Sequence, residues 1–153
     1  MHGTVETAAT RDFLAALARL REALAHVANG EVGPIKALYS QADDATSMYG
    51  WGGYEKGWEA ISRRWDWAAK QFRGGTVSHE NVTTVVGTEL ALVTDIENFE
   101  VLLPDLEAPT RWTNRVTHVF RCEGGEWRLL HRHANRLEQQ YEPAPRLAPA
   151  SGT

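Results

Sequence analysis

Phe13, Leu17, Leu20, Leu24 and Val27 recur at spacings of four and three, which lines them along one side of a helix. Thr10 is the predicted N-cap and Asn29-Gly30 the stop. Arg11, Asp12, Arg19, Arg21 and Glu22 fall on the opposite, wet side. A second, short helix is predicted from Pro34 to Ser40, with proline at the first position and Ile35, Leu38 and Tyr39 on one face. Ala45 to Tyr49 reads as a short strand. A third helix runs from about Gly57 to Phe72, striped by Trp58, Ile61, Trp65, Ala68 and Phe72, and Gly74-Gly75 ends it. Beyond it the period changes to that of strands: Val77 to Val86, Leu90 to Leu103, Arg111 to Cys122 and Glu126 to Leu137. Gly124-Gly125 between the last two is a hairpin signal.

Three helices and one short strand followed by four long strands predict an α+β fold, in which the helices bury their stripes against one face of an antiparallel sheet. A length of 153 residues suits one domain, placed at residues 10–141. Residues 1–9 carry no pattern and read as a flexible end. The segment 142–153 holds three of the six prolines, Pro143, Pro145 and Pro149, and reads as a flexible tail.

Composition narrows the function classes. With 42% hydrophobic and 24% charged residues the chain is of ordinary globular type. Sixteen basic against twenty acidic residues give a net charge of −4, with no Lys/Arg run, so no nucleic acid partner is expected. No apolar run reaches membrane-spanning length and no leader pattern opens the chain. The single cysteine, Cys122, has no internal partner; together these features lean towards a cytoplasmic, reducing location. Six tryptophans are the unusual feature. Trp58 and Trp65 sit on the helix stripe and belong to the core, whereas Trp67 falls off it. Trp51 and Tyr54, in the glycine-rich Tyr49-Gly50-Trp51-Gly52-Gly53-Tyr54 loop, are candidates to close a pocket mouth.

The order and spacing of several segments together resemble the NTF2-like superfamily, in its SnoaL-like or ketosteroid-isomerase-like branch. These are the first helix ending in Asn29-Gly30, Ile35…Leu38-Tyr39…Asp43-Asp44-Ala45-Thr46, Gly57-Trp58-Glu59-Ala60-Ile61, Arg115-Val116-Thr117 and Gly125-Glu126-Trp127-Arg128-Leu129-Leu130-His131-Arg132-His133. Residues 10–137 follow that layout. The resemblance implies a cystatin-like cone: a curved sheet wrapped round the helices, with a pocket inside and a homodimer formed through the outer sheet face. It does not carry the isomerase mechanism, because Tyr49 stands where those enzymes place a general-base Asp and Ala23 where they place an oxyanion-binding Tyr. A phenol near its ordinary pKa of about 10 is a poor base at neutral pH.

Strand alternation decides which side chains face the pocket. Two turns are open at Gly124-Gly125. A three-residue loop, the preferred reading, pairs Cys122 with Glu126; a two-residue turn would set His118 opposite His131. In the preferred register Asn114, Val116, His118 and Arg132 face inward. Arg115, Thr117, Trp127, Leu129, His131 and His133 then form the outer, dimer-forming face. The resemblance also places Val93, Asp95, Glu97 and Phe99 inward. Asp95, Glu97 and His118 become the candidate catalytic groups, since a buried carboxylate beside a histidine can transfer protons. Trp51, Tyr54, Trp112, Asn114 and Arg132 are the candidate substrate-binding groups. His131 and His133 lack further ligands in metal-site spacing, so no metal is expected, and no cofactor is required. Two functions follow: cofactor-independent acid–base chemistry on a small, largely apolar molecule, as isomerase, dehydratase or hydrolase, or ligand binding or assembly without chemistry.

Overall fold

The computed structural model describes residues 7–138. The expected flexible tail at 142–153, and all but the last three residues of the expected flexible start, lie outside them. Helix α1 spans Ala8–Val27, starting three residues earlier than the sequence predicts. Thr7 is the cap, its hydroxyl accepting from the Thr10 N–H at 3.1 Å, so Thr10 belongs to the first turn. The predicted stripe is fully buried, with Ala16 and Ala23 filling the spaces between the larger side chains.

Helix α2 spans Gly33–Leu38 and helix α3 Trp58–Ala69. The short strand β1 is Thr46–Met48. The glycine-rich loop does not run straight into α3: Tyr54–Lys56 forms strand β2, which pairs antiparallel with β1 through Met48 and Tyr54. The long strands are β3 (Gly75–Val86), β4 (Leu90–Val101), β5 (Thr110–Glu123) and β6 (Glu126–Arg136). They make a curved, open six-stranded sheet in the order β2-β1-β6-β5-β4-β3, antiparallel except where β1 runs parallel to β6. The helices pack on its inner face, as the α+β reading predicts. No helix of the described residues is long and apolar enough to cross a membrane.

The β5–β6 hairpin corrects the preferred register. Glu123 pairs with Glu126 and Cys122 with Trp127, so the turn has two residues. Gly124 and Gly125 both have positive φ, 58° and 84°, as a primed two-residue turn requires. Val119 faces His131 while Phe120 faces Leu129, which leaves Leu130 as an extra residue in β6. That bulge inverts the inside–outside parity of the strand. Trp127 and Leu129 therefore point inward, where Trp127 packs edge-on against Phe13 at 5.5 Å, and they leave the face expected to pair two chains. Past the bulge, His118 lies opposite Arg132, and Asn114, Val116, His118 and Arg132 are all inward and buried, as expected. Arg115, Thr117, His131 and His133 remain outside. There the His131 Nδ1 meets the Thr46 hydroxyl at 2.7 Å.

Candidate functional site

Alternation on β4 turns Val93, Asp95, Glu97 and Phe99 inward, and all four are buried. Glu97 stands opposite Asn114 on β5, and His118 opposite Arg132 on β6, so one patch of the sheet gathers four polar side chains. Arg132 donates from Nη2 to Glu97 Oε1 at 2.7 Å and from Nη1 to Oε2 at 3.1 Å. The same Nη1 lies 2.8 Å from His118 Nε2. Asn114 Nδ2 adds a bond to Glu97 Oε1 at 3.3 Å. On β3, His79 lies opposite Glu97, with its Nε2 3.4 Å from Oε2. The sequence reading passes over His79; pairing β3 with β4 in register is the signal that finds it.

This geometry sets the charge states. Burial alone would raise the Glu97 carboxyl, but the Arg132 guanidinium, helped by His79, overrides burial and holds it well below the usual carboxylate range. Burial, reinforced by the Arg132 charge, pushes His118 well below its ordinary value. His118 is thus neutral. Because a guanidinium can only donate, the His118 Nε2 must accept, which puts the ring proton on Nδ1. Glu97 is a counter-ion with its lone pairs occupied, and His118 has already given its own lone pair to Arg132.

Asp95 faces inward but stands apart from this cluster. Its carboxylate accepts from Arg21 of α1 at 3.2 Å and from Asn81 at 3.0 Å. Arg21 leaves from the wet side of the helix and reaches round to the sheet, a path open to its long stem. Asp95 therefore fastens α1 to β3 and β4.

Above the Glu97–Arg132 pair lies a pocket bounded by Tyr49, Trp51, Trp65, Trp112, Asn114 and Arg132. Its free volume is only about 20 Å³, room for one water. The wide ligand chamber implied by the resemblance is thus closed in this conformation, because large aromatic side chains fill the cone. Three of its lining residues carry a buried polar atom without a protein hydrogen-bond partner, Tyr49 Oη, Trp65 Nε1 and Asn114 Oδ1, with the Ser47 side chain beside the Tyr49 phenol. Burial raises the Tyr49 phenol to about 12, so it keeps its proton and can donate. Gly50 packs directly on Asn114, where an added Cβ would stand 2.9 Å from Oδ1.

Trp51 closes the outer side. Its ring stacks on Tyr49 at 4.8 Å and 8°, and meets Trp67 at 5.6 Å. Outside it is an apolar cleft of about 170 Å³ that shares Trp51, Phe72, Trp112 and Arg136 with the inner pocket. Trp51, Trp112, Asn114 and Arg132, expected to bind substrate, thus surround one locus, while Glu97 and His118 lie behind it. Tyr54 does not join them: it is 73% exposed on the edge strand β2.

A family model described as the SnoaL-like domain matches residues 16–135. No protein of curated function matches the sequence. Among solved structures, a nuclear transport factor 2 (NTF2-like) superfamily protein from Salmonella enterica superposes with a TM-score of 0.71 at 18% identity, covering 94% of this chain and 96% of its own. A ketosteroid isomerase-like protein from Erwinia carotovora also gives 0.71, at 14% identity, covering 84% and 96%. An NTF2-like protein of unknown function from Pseudomonas putida gives 0.64 at 21% identity, covering 87% and 89%. At these identities the likeness is one of fold.

Proposed function

The chain belongs to the SnoaL-like domain family of NTF2-like folds, and from that premise we propose that it binds a small, flat organic molecule bearing a carbonyl or hydroxyl group. The site is the locus behind Trp51, and binding needs no chemical step. The observation that carries this reading is that three residues lining one aromatic-walled pocket, Tyr49, Trp65 and Asn114, each hold a buried polar atom without a protein hydrogen-bond partner. A buried polar group without a partner costs about 1–3 kcal/mol. Three at one place are explained if a ligand's polar group completes them: two donors and one acceptor suit a carbonyl with a neighbouring hydroxyl. Entry requires Trp51 to turn aside, which joins the inner pocket to the cleft outside.

Acid–base catalysis by Asp95, Glu97 and His118 fits less well. Glu97 is committed to Arg132, His118 is neutral with its acceptor nitrogen occupied, and Asp95 is tied to Arg21. No group of the three is a free base at the pocket.

A thermal-shift screen with cyclic ketones and phenols tests the proposal. A binder should raise the melting temperature in proportion to ln(1 + [L]/Kd) and be recovered unchanged. Tyr49→Phe, which removes only the hydroxyl, should weaken that binder by about tenfold, the worth of one buried hydrogen bond. If no compound shifts the melting curve, or if binders are indifferent to Tyr49→Phe and Asn114→Leu, the reading fails. Turnover of a bound ketone would restore the catalytic alternative. We also propose that the outer sheet face, with Arg115, Thr117, His131 and His133, pairs two copies of the chain. A solution mass of one chain would overturn that, and twice the chain mass would support it.

A further inference from the structure

The cleft outside Trp51 is walled mainly by apolar side chains, with Gln71 its one uncharged polar residue. Trp51, Trp67, Phe72, Leu103 and Trp112 line it, and no carboxylate is among its lining residues. Its one charged group is Arg136, whose guanidinium carbon sits 4.6 Å over the Trp112 ring. That stacking holds the guanidinium at the mouth with its N–H edge unspent: among the described residues Arg136 has no ion pair and no hydrogen bond from its side chain. Glu100 and Glu138 share with Arg136 the open hollow on its other side. There Glu100 is already held by Arg111 at 3.0 Å. An aromatic slot with a stacked, uncommitted guanidinium at its rim is complementary to a planar apolar acid.

We propose that the ligand of this pocket is an aromatic or similarly flat carboxylate, held by its acid group on Arg136 at the mouth with its ring system between Trp51 and Trp112. The proposal rests on the pocket reading above and deepens it by naming the ligand class and its orientation: charged end outward, polar ring substituent towards Asn114 and Tyr49. Arg136, rather than the more deeply buried Arg132, takes the acid. Arg132 is already neutralised by Glu97, while Arg136 lines the cleft and, among the described residues, has no anionic partner.

Calorimetric titration of the whole chain with 2-naphthoate and with 2-naphthamide, its uncharged isostere, is the test. The acid should bind at least about tenfold more tightly than the amide, as expected for a bidentate charge-assisted contact. In Arg136→Gln the preference for the acid over the amide should fall to within about twofold. Arg136 is exposed, so the melting temperature of the variant should match that of the parent and report an intact fold. Equal affinities in the parent, a preference for the acid that survives in Arg136→Gln, or no binding of 2-naphthoate would each overturn the assignment. The wider pocket reading fails separately: amide binding that depends on Tyr49 but shows no preference for the acid leaves it standing, as does a ketone or phenol that depends on Tyr49. Only the absence of every such binder removes both.

Discussion

Arg132 grips Glu97 with two hydrogen bonds, of 2.7 and 3.1 Å, and both side chains are closed off from solvent. A pair of this kind is costly to break from one side, because the remaining charge is stranded in a medium that cannot solvate it. Arg132→Met should therefore destabilise the fold by about 3–5 kcal/mol, and Glu97→Leu by a similar amount. The double variant, which strands neither charge, should be far more stable than the sum of the two losses implies. Denaturant unfolding of the four proteins measures the coupling. Additivity within about 0.5 kcal/mol would show that the two residues do not act as a pair.

His118 makes stability sensitive to mild acid. Its folded-state pKa is well below 6.5, owing to burial and then to the Arg132 charge, whereas in the unfolded chain it returns to about 6.5. Between those values the unfolded chain holds a proton that the native one refuses. Stability from this group is fully present above about pH 6.5 and declines as the pH falls below it, by about 1 kcal/mol over the first unit. His131, lowered by partial burial and by His133, acts in the same direction. Carboxylates such as Glu97 contribute only at lower pH. Unfolding free energies at about pH 7.5 and about pH 5.5 should thus differ more in the parent than in His118→Gln, where an amide oxygen can still accept from Arg132. Equal differences in the two proteins would show that His118 is not the responsive group.

Asp95 should prove to be a fastening rather than a site residue. It is 2% exposed and takes hydrogen bonds from Arg21 on α1 and Asn81 on β3. Asp95→Asn weakens both contacts and should lower stability by about 1–3 kcal/mol, with Arg21→Ala losing less because Arg21 is half-exposed. Neither change should move the affinity of a ketone or phenol that depends on Tyr49. A loss of that affinity in Asp95→Asn at unchanged stability would return Asp95 to the pocket.

The parts of this architecture that the sequence makes legible are those with strong periodicity. The spacing of Phe13, Leu17, Leu20, Leu24 and Val27 leaves one helical face, and the structure buries all of it. The inward set on β4 is harder, since polar residues occupy both faces; the superfamily layout, not alternation, places Asp95 and Glu97 inside. The Leu130 bulge is invisible in the sequence because no Gly or Pro marks it, yet it alone moves Trp127 and Leu129 from the outer face to the core. Strand β2, Tyr54-Glu55-Lys56, has no apolar alternation to announce it and exists through backbone pairing with β1. Arg21 is misplaced by a helix wheel because the wheel locates its Cα and not the end of a long side chain. The pocket volume depends on how far Trp51, Trp65 and Trp112 fill its space, which is a matter of packing and not of pattern.

Trp51 lines both the inner pocket and the apolar cleft outside it. It is 39% exposed, it stacks on Tyr49, and it stands between the inner pocket and the apolar cleft. Gly52 and Gly53, both with positive φ, follow it in the loop and leave its backbone few steric constraints. Trp51→Ala should cost about 1–2 kcal/mol, less than loss of a fully buried tryptophan, because part of the ring already meets water. It should also merge the two spaces into one cavity shaped like the missing ring. Indole is then the diagnostic ligand. Added in excess, it should refill the gap and raise the melting temperature of Trp51→Ala while leaving the parent unmoved. An equal shift in both proteins, or none in the variant, would mean that Trp51 lies on the surface without walling off a pocket.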